Sequence, residues 1–109
     1  MELVVHRFEV WLVSLDPTQG SEIAKTRPCL IVSPDEINRR LNTVLVAPMT
    51  STRKQYPTRV NCRFINQDGQ VALDQTRAVD KSRLVKRVGT LETDVCQTVC
   101  QTLVAMFMY

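Results

Sequence analysis

The apolar residues of this chain change period once, and that change constrains the fold more tightly than any other feature. Through Thr90 they come in short runs bounded by Pro, Gly or polar clusters. From Val95 onward they recur at helical spacing, at Val95, Cys96, Val99, Cys100, Leu103, Val104 and Phe107. Residues 8–15 (FEVWLVSL), 28–33 (PCLIVS) and 43–49 (TVLVAPM) read as strands, the second of them buried because its run is mostly apolar. Pro48 in the third implies an edge or a bulge. Residues 56–64 alternate around Val60, Cys62 and Phe64, so one face is buried and the other wet. Residues 66–69 read as a turn, 70–79 as one or two further strands, and 83–90 as another. Residues 16–26 form a polar loop, and residues 34–41 one or two helical turns, where Asp35 and Glu36 suit a positive helix N-terminus. Glu92 and Asp94 open the last helix in the same way. The expected architecture is mainly β with α: a small twisted antiparallel sheet or partly open barrel, packed by short helices and a C-terminal amphipathic helix. With 109 residues and no internal repeat or linker, residues 1–109 read as a single domain.

A hydrophobic share of 44% supports an ordinary packed core and argues against disorder. No uncharged apolar run reaches transmembrane length, so no membrane association is expected. The opening MELVVHRFEV carries Glu2 and lacks a signal-peptide core, which points to a cytoplasmic location. Cys29, Cys62, Cys96 and Cys100 include no Cys-x-x-Cys pair and suit buried thiols in a reducing compartment. The net charge of +3 is mild, but its cations are clustered. Arg39, Arg40, Arg53, Lys54, Arg59, Arg63, Arg77, Lys81, Arg83, Lys86 and Arg87 fill the middle and later chain. Such clusters fit either a phosphate-tracking surface or a solvated charged face.

Common catalytic equipment is missing. His6 stands alone and cannot form a two-histidine acid–base pair within the chain. The acids show no metal-binding cluster, and Cys96 and Cys100, one helical turn apart, make a poor zinc site without further ligands. There is no P-loop and no nucleophile elbow. No metal and no cofactor are therefore expected.

A longer ordered pattern is more informative. The run Trp11-Leu12-Val13-Ser14-Leu15-Asp16-Pro17-Thr18-Gln19-Gly20-Ser21-Glu22 is followed by Thr26-Arg27-Pro28, Leu30-Ile31-Val32-Ser33-Pro34 and Asn38. Val46-Ala47-Pro48-Met49-Thr50-Ser51, Tyr56-Pro57 and Leu73-Asp74-Gln75-Thr76-Arg77-Ala78-Val79-Asp80 complete it. This set strongly resembles the MazF/PemK-like toxins over nearly the whole chain. The resemblance implies an SH3-like barrel of the CcdB/PemK type, a homodimer, and sequence-specific, metal-independent cleavage of single-stranded RNA that leaves a 2′,3′-cyclic phosphate and a 5′-hydroxyl. It also implies neutralisation by a cognate antitoxin with an acidic flexible tail. The family's catalytic arginine and threonine map onto Arg27 and Thr50. Substrate-site positions fall on Ser21, Glu22, Asp74 and Gln75, and Ser51, Arg53 and Arg77 are candidate RNA contacts.

Two departures from the family pattern stand out. Phe8 occupies a place where relatives often carry glycine, which would shift the start of the first strand. Ser21 and Ala72 replace a histidine and an arginine of some relatives, so mechanisms built on those groups do not transfer. Arginine suits stabilisation of phosphate charge, because its planar donors stay protonated. Glu22 and Asp74 are the more ordinary candidate bases, and an ion pair of Arg27 with either is the structural alternative. The competing function is a non-enzymatic CcdB-type toxin or binding module of the same fold. The Trp-Gly-Ile ending of CcdB-type chains is absent, since this helix runs out through Ala105-Met106-Phe107-Met108-Tyr109.

Overall fold

The computed structural model describes residues 3–109. Seven strands form one antiparallel sheet: β1 (Glu9–Ser14), β2 (Thr26–Ile31), β3 (Thr43–Thr50), β4 (Arg59–Phe64), β5 (Gln67–Ala72), β6 (Arg77–Asp80) and β7 (Leu84–Thr90). The spatial order is β4-β5-β3-β2-β1-β7, with β6 also on β3. A short helix α1 (Asp35–Arg40) links β2 to β3, and α2 (Thr93–Phe107) closes the chain. The result is the expected mainly-β class, a sheet curled into a half-barrel with a terminal helix packed on it.

The continuous apolar runs of β1–β3 follow from burial on both faces. Successive strand residues point to opposite sides, and both sides are covered here. Val10, Leu30, Ala47 and Met49 join Val60, Val71, Leu73, Cys96 and Val99 in one core, under α2. Trp11, Val13, Cys29, Ile31, Val44 and Val46 join Leu15, Val79 and Leu84 in the other. Each fully buried Val, Leu or Ile contributes about 1.5–3 kcal/mol. Strand β4, at the edge, keeps the strict alternation instead, with Val60 and Cys62 buried and Asn61 and Arg63 exposed.

Polar knots tie the connections down. Asn38 of α1 is buried; its Nδ2 donates to the Ser33 carbonyl (2.9 Å), and Ser33 Oγ donates to its Oδ1 (2.5 Å) while accepting from the Leu45 N–H (3.0 Å). Glu9 is also buried and accepts from the His6 N–H (2.8 Å), Trp11 Nε1 (3.1 Å) and Arg87 Nε (2.7 Å). Burial raises its carboxyl pKa, but these hydrogen bonds outweigh burial and hold it below the usual range.

Four expectations need correction. The turn between β4 and β5 is Ile65-Asn66, not residues 66–69. Both residues have positive φ (50° and 58°), and Phe64 pairs with Gln67, the geometry of a two-residue type I′ hairpin. Residues 67–69, read as part of that turn, lie inside β5. Pro48 does not mark an edge, because β3 pairs with β2, β5 and β6. Its missing N–H falls where β3 passes from β2 to β5. Cys29, Cys62 and Cys96 are buried as expected, burial pushing the Cys29 thiol up to about 12, but Cys100 is only half-buried and accepts from Arg7 Nη2 (3.6 Å). Finally, Phe8 lies just before β1, which begins at Glu9 and not at residue 8. It adopts the left-handed conformation itself, at φ 71°, and its N–H donates to the Ile31 carbonyl (2.8 Å). A bulky residue there is strained, and its ring is retained by packing on the core and under Arg7 (4.9 Å).

Phe8→Ala and Phe8→Gly both remove the ring, but only glycine relieves the backbone. The Gly variant is expected to be the more stable of the two by about 1 kcal/mol in urea unfolding. An Ala variant of equal or greater stability would show that residue 8 is not held at positive φ.

Candidate active site

Strands β2 and β3 pair at Cys29↔Pro48, Leu30↔Ala47 and Ile31↔Val46. Continuing that register toward the open end sets Arg27 across from Thr50. The two line one cavity of about 210 Å³ with Ser51, Phe64, Gln67 and Asp68. Pro28, Met49 and Gly69 complete its lining.

Arg27 is half-buried, and its Nε donates to the Ala24 carbonyl (2.8 Å). Among the described residues neither of its terminal nitrogens has a hydrogen-bond partner, and no ion pair with Glu22 or Asp74 forms. The guanidinium is thus fixed through one nitrogen while its two-nitrogen fork is left for an anion. Thr50 ends β3, and its Oγ1 accepts from the Thr52 N–H (3.2 Å), which leaves the hydroxyl hydrogen as a donor. Its backbone is hemmed in by β5: a Cβ at Gly69 would stand 2.5 Å from the Thr50 carbonyl oxygen. Phe64 is placed in the same manner, since a Cβ at Gly89 would come within 3.1 Å of its ring.

The other sequence candidates lie outside this cavity, and all of them except the exposed Ser21 are hydrogen-bonded elsewhere. Glu22 Oε1 accepts from the Gln19 N–H (2.7 Å) within the β1–β2 loop, where Ser21 is exposed. Gln75 Oε1 accepts from the Ile23 N–H (3.2 Å) and so ties that loop to the turn after β5. Arg77 Nη1 donates to the Leu15 carbonyl (3.1 Å) and Arg53 Nη2 to the Cys62 carbonyl (3.4 Å). Asp74 is gripped by Arg59 through both oxygens (2.6 and 3.1 Å) and accepts from the Thr58 hydroxyl (3.1 Å). Arg59 holds the Asp74 carboxyl below its ordinary range despite partial burial. The lowered pKa makes Asp74 a weaker proton acceptor than a free aspartate.

Three cavity residues escaped sequence reading. Phe64 was read only as a buried strand position, and Gln67 and Asp68 were hidden by the turn assignment. The positive-φ tendency of Asn66 was the available signal that the turn falls earlier. Among the described residues no three His, Cys, Asp or Glu side chains converge as a metal site would need, and no helix is long and apolar enough to cross a membrane. A larger cavity, about 520 Å³, lies between the N-terminal segment and α1. It holds none of the candidate residues.

The site thus comprises a curled β half-barrel carrying a half-buried arginine fork beside a strand-end hydroxyl, both lining one cavity. Comparison with known proteins gives the family. Residues 6–107 match the family described as PemK-like, MazF-like toxin of type II toxin–antitoxin systems, and the chain belongs to it. It is 40% identical over 90 residues to Endoribonuclease PemK of Escherichia coli, an alignment covering 77% of this chain and 68% of that protein. The structure is similar to that of MazF from Deinococcus radiodurans, with a TM-score of 0.86, 25% identity, and coverage of 99% of this chain and 100% of that one. A MazE–MazF structure from the same organism superposes with a TM-score of 0.80 at 26% identity, covering 99% of this chain and 100% of that one.

Gly69→Ala tests how tightly β5 confines Thr50. Because the blocking atom is backbone, the variant is expected to lose about 1–3 kcal/mol of stability in denaturant unfolding. Wild-type stability would mean that the two strands part freely at this point.

Proposed function

We propose that this protein is a sequence-specific endoribonuclease toxin that cuts single-stranded RNA without a metal. In this reading the ribose 2′-hydroxyl attacks the adjacent phosphorus and expels the 5′-oxygen, leaving a 2′,3′-cyclic phosphate and a 5′-hydroxyl. The observation that carries the reading is the shared cavity of Arg27 and Thr50. Arg27, whose two terminal nitrogens have no partner among the described residues, and Thr50, with one hydroxyl donor, line the same small space, where a phosphate would meet them. Such fixed donors stabilise the extra negative charge of the phosphorane more than that of the ground state. RNA supplies its own nucleophile, so no bound water or metal hydroxide is needed to attack; the proton leaving the 2′-hydroxyl is passed to a base, and the departing 5′-oxygen takes up a proton to become the 5′-hydroxyl. Ser51 adds a hydroxyl at the rim. Ser21, Glu22, Arg53, Asp74, Gln75 and Arg77 would then act around the cavity, by shaping the loop and its walls or by contacting RNA beyond the reacting phosphate.

The test is cleavage of a long single-stranded RNA in EDTA. Wild type is expected to cut and to leave cyclic-phosphate ends. Arg27→Ala and Thr50→Ala are each expected to fold normally and to lose about 10²–10³ in rate. Near wild-type cleavage by either variant, or a magnesium requirement, would contradict the mechanism.

We infer the partners from charge and apolar exposure. The outer end of α2 leaves Val104, Phe107 and Met108 uncovered, Phe107 at 79% exposure. An apolar patch of this kind suits a homodimer contact. The net positive charge suits an antitoxin whose acidic flexible tail competes with RNA for the cavity in the cytoplasm. The Deinococcus protein is paired with MazE in its own structure. Arg59 is not part of the attracting charge, since Asp74 neutralises it. A dimer that persists in high salt, with an antitoxin complex and inhibition that weaken together as salt rises, is the expected result in sedimentation and cleavage assays. A monomer at micromolar concentration would contradict the dimer.

A further inference from the structure

Arg27 is held through one nitrogen, so whatever fixes the acceptor of that bond also fixes the guanidinium. The acceptor is the Ala24 carbonyl, which takes the Arg27 Nε–H at 2.8 Å. This oxygen belongs to the same planar trans peptide group as the Lys25 N–H. At the other end of that plane, the Lys25 N–H donates to Asp16 Oδ1 at 3.1 Å. A carboxylate and a guanidinium thus grip opposite ends of a single rigid peptide group.

The surrounding backbone is arranged to present the group in this way. Lys25 has positive φ (72°), a conformation that residues with side chains rarely adopt and that persists where the surroundings hold it. Its carbonyl accepts from the Leu15 N–H (2.9 Å), one step beyond the Ser14↔Thr26 pair. Lys25 therefore keeps its carbonyl in the β1–β2 ladder while its N–H turns to Asp16. The Asp16 main chain is fixed in turn, because Arg83 Nη1 donates to both the Ser14 and the Asp16 carbonyls. Gln75 ties the same loop through the Ile23 N–H (3.2 Å), but that N–H belongs to a different peptide group.

We propose that Asp16 is a positioning residue for RNA cleavage: it orients the Ala24–Lys25 peptide and, through it, the Arg27 guanidinium. The inference rests on the ribonuclease reading above. Asp16 is exposed and lies outside the cavity lining, so it acts through Arg27 and not on the reacting groups. Part of its effect is geometric, since a donor aimed at a developing charge loses value when it is misplaced. The rest is polarisation. An anionic acceptor on the N–H raises electron density on the carbonyl oxygen of the same amide, which strengthens the bond to Arg27. Solvent screens the bare charge at an exposed position, so the bonded N–H carries the effect.

The experiment compares Asp16→Ala, Asp16→Asn and Gln75→Ala. Cleavage kinetics on one single-stranded RNA are read beside heteronuclear NMR of the arginine Nε–H groups. The Arg27 signal is assigned by its loss in Arg27→Ala, and urea unfolding shows that each variant is folded. Asp16→Ala is expected to lower kcat about tenfold with KM nearly unchanged, and to speed solvent exchange of the Arg27 Nε–H. Combined with Arg27→Ala it is expected to cause no further loss, because both changes remove the same interaction. Asp16→Asn keeps an oxygen for the Lys25 N–H and is expected to restore most of kcat and of the protection from exchange. Gln75→Ala is expected to leave that exchange near wild type. Unchanged kcat or exchange in Asp16→Ala would overturn the assignment while the ribonuclease reading stands. So would a further loss on the Arg27→Ala background, or equally fast exchange in Gln75→Ala, which would mean general loosening of the loop. Absence of cleavage by the wild type would overturn the ribonuclease reading and the catalytic role of Asp16 with it.

Discussion

The register of β2 against β3 is the constraint on which the rest of this structure depends. Cys29↔Pro48, Leu30↔Ala47 and Ile31↔Val46 are held by cores on both faces of the two strands, so a slip of one residue would exchange the two sets of side chains. The same register, carried to the end of the strands, places a guanidinium from one beside a hydroxyl from the other. Core packing and site assembly are therefore one requirement. The apolar interior fixes which residues face each other, and the polar residues at the strand ends inherit that placement.

Strand β3 accomplishes this by changing partners. Its first part is clasped by β6 and β2, and its last two residues by β5. A strand that passes from one neighbour to another must leave or twist away from the first, and Pro48, which cannot donate to a ladder, stands at that transition. The handover curls the sheet and brings the β4–β5 hairpin onto the open end of β2. Gly69 permits the close approach, since a side chain there would collide with the Thr50 backbone. The cavity is thus a product of three strands that are far apart in sequence.

Charge is distributed by the fold rather than by the chain. The sequence is basic throughout its middle, yet the structure spends several of these cations internally. Arg59 is locked to Asp74, Arg87 to Glu9, and Arg77 and Arg83 to backbone carbonyls around Ser14 and Leu15. Arg27 differs from these four: its Nε is anchored to the Ala24 carbonyl, and among the described residues its two terminal nitrogens have no partner. Being available, more than being positive, is what separates it from its neighbours.

Much of the architecture was legible in the sequence because it follows from local periodicity. The burial of β2, the alternation of β4 and the helical spacing after Val95 each reflect where the side chains of one element must point. The ordered motifs around Arg27-Pro28 and Met49-Thr50 likewise marked the two residues that the cavity unites. What sequence could not supply was anything set by contact between elements. It could not reveal that Phe8 would accept a left-handed backbone to keep its hydrogen bond to Ile31, because the compensation comes from a core assembled elsewhere. It could not show that Asp74 is held by Arg59, or that Asp68 lies within β5 across from Arg63, because a one-position choice of turn decides which side chains meet across a hairpin. Local sequence determined the strands and helices and their buried faces; only the tertiary pairing decided which polar residues became neighbours, since side chains distant along the chain meet only when the sheet closes.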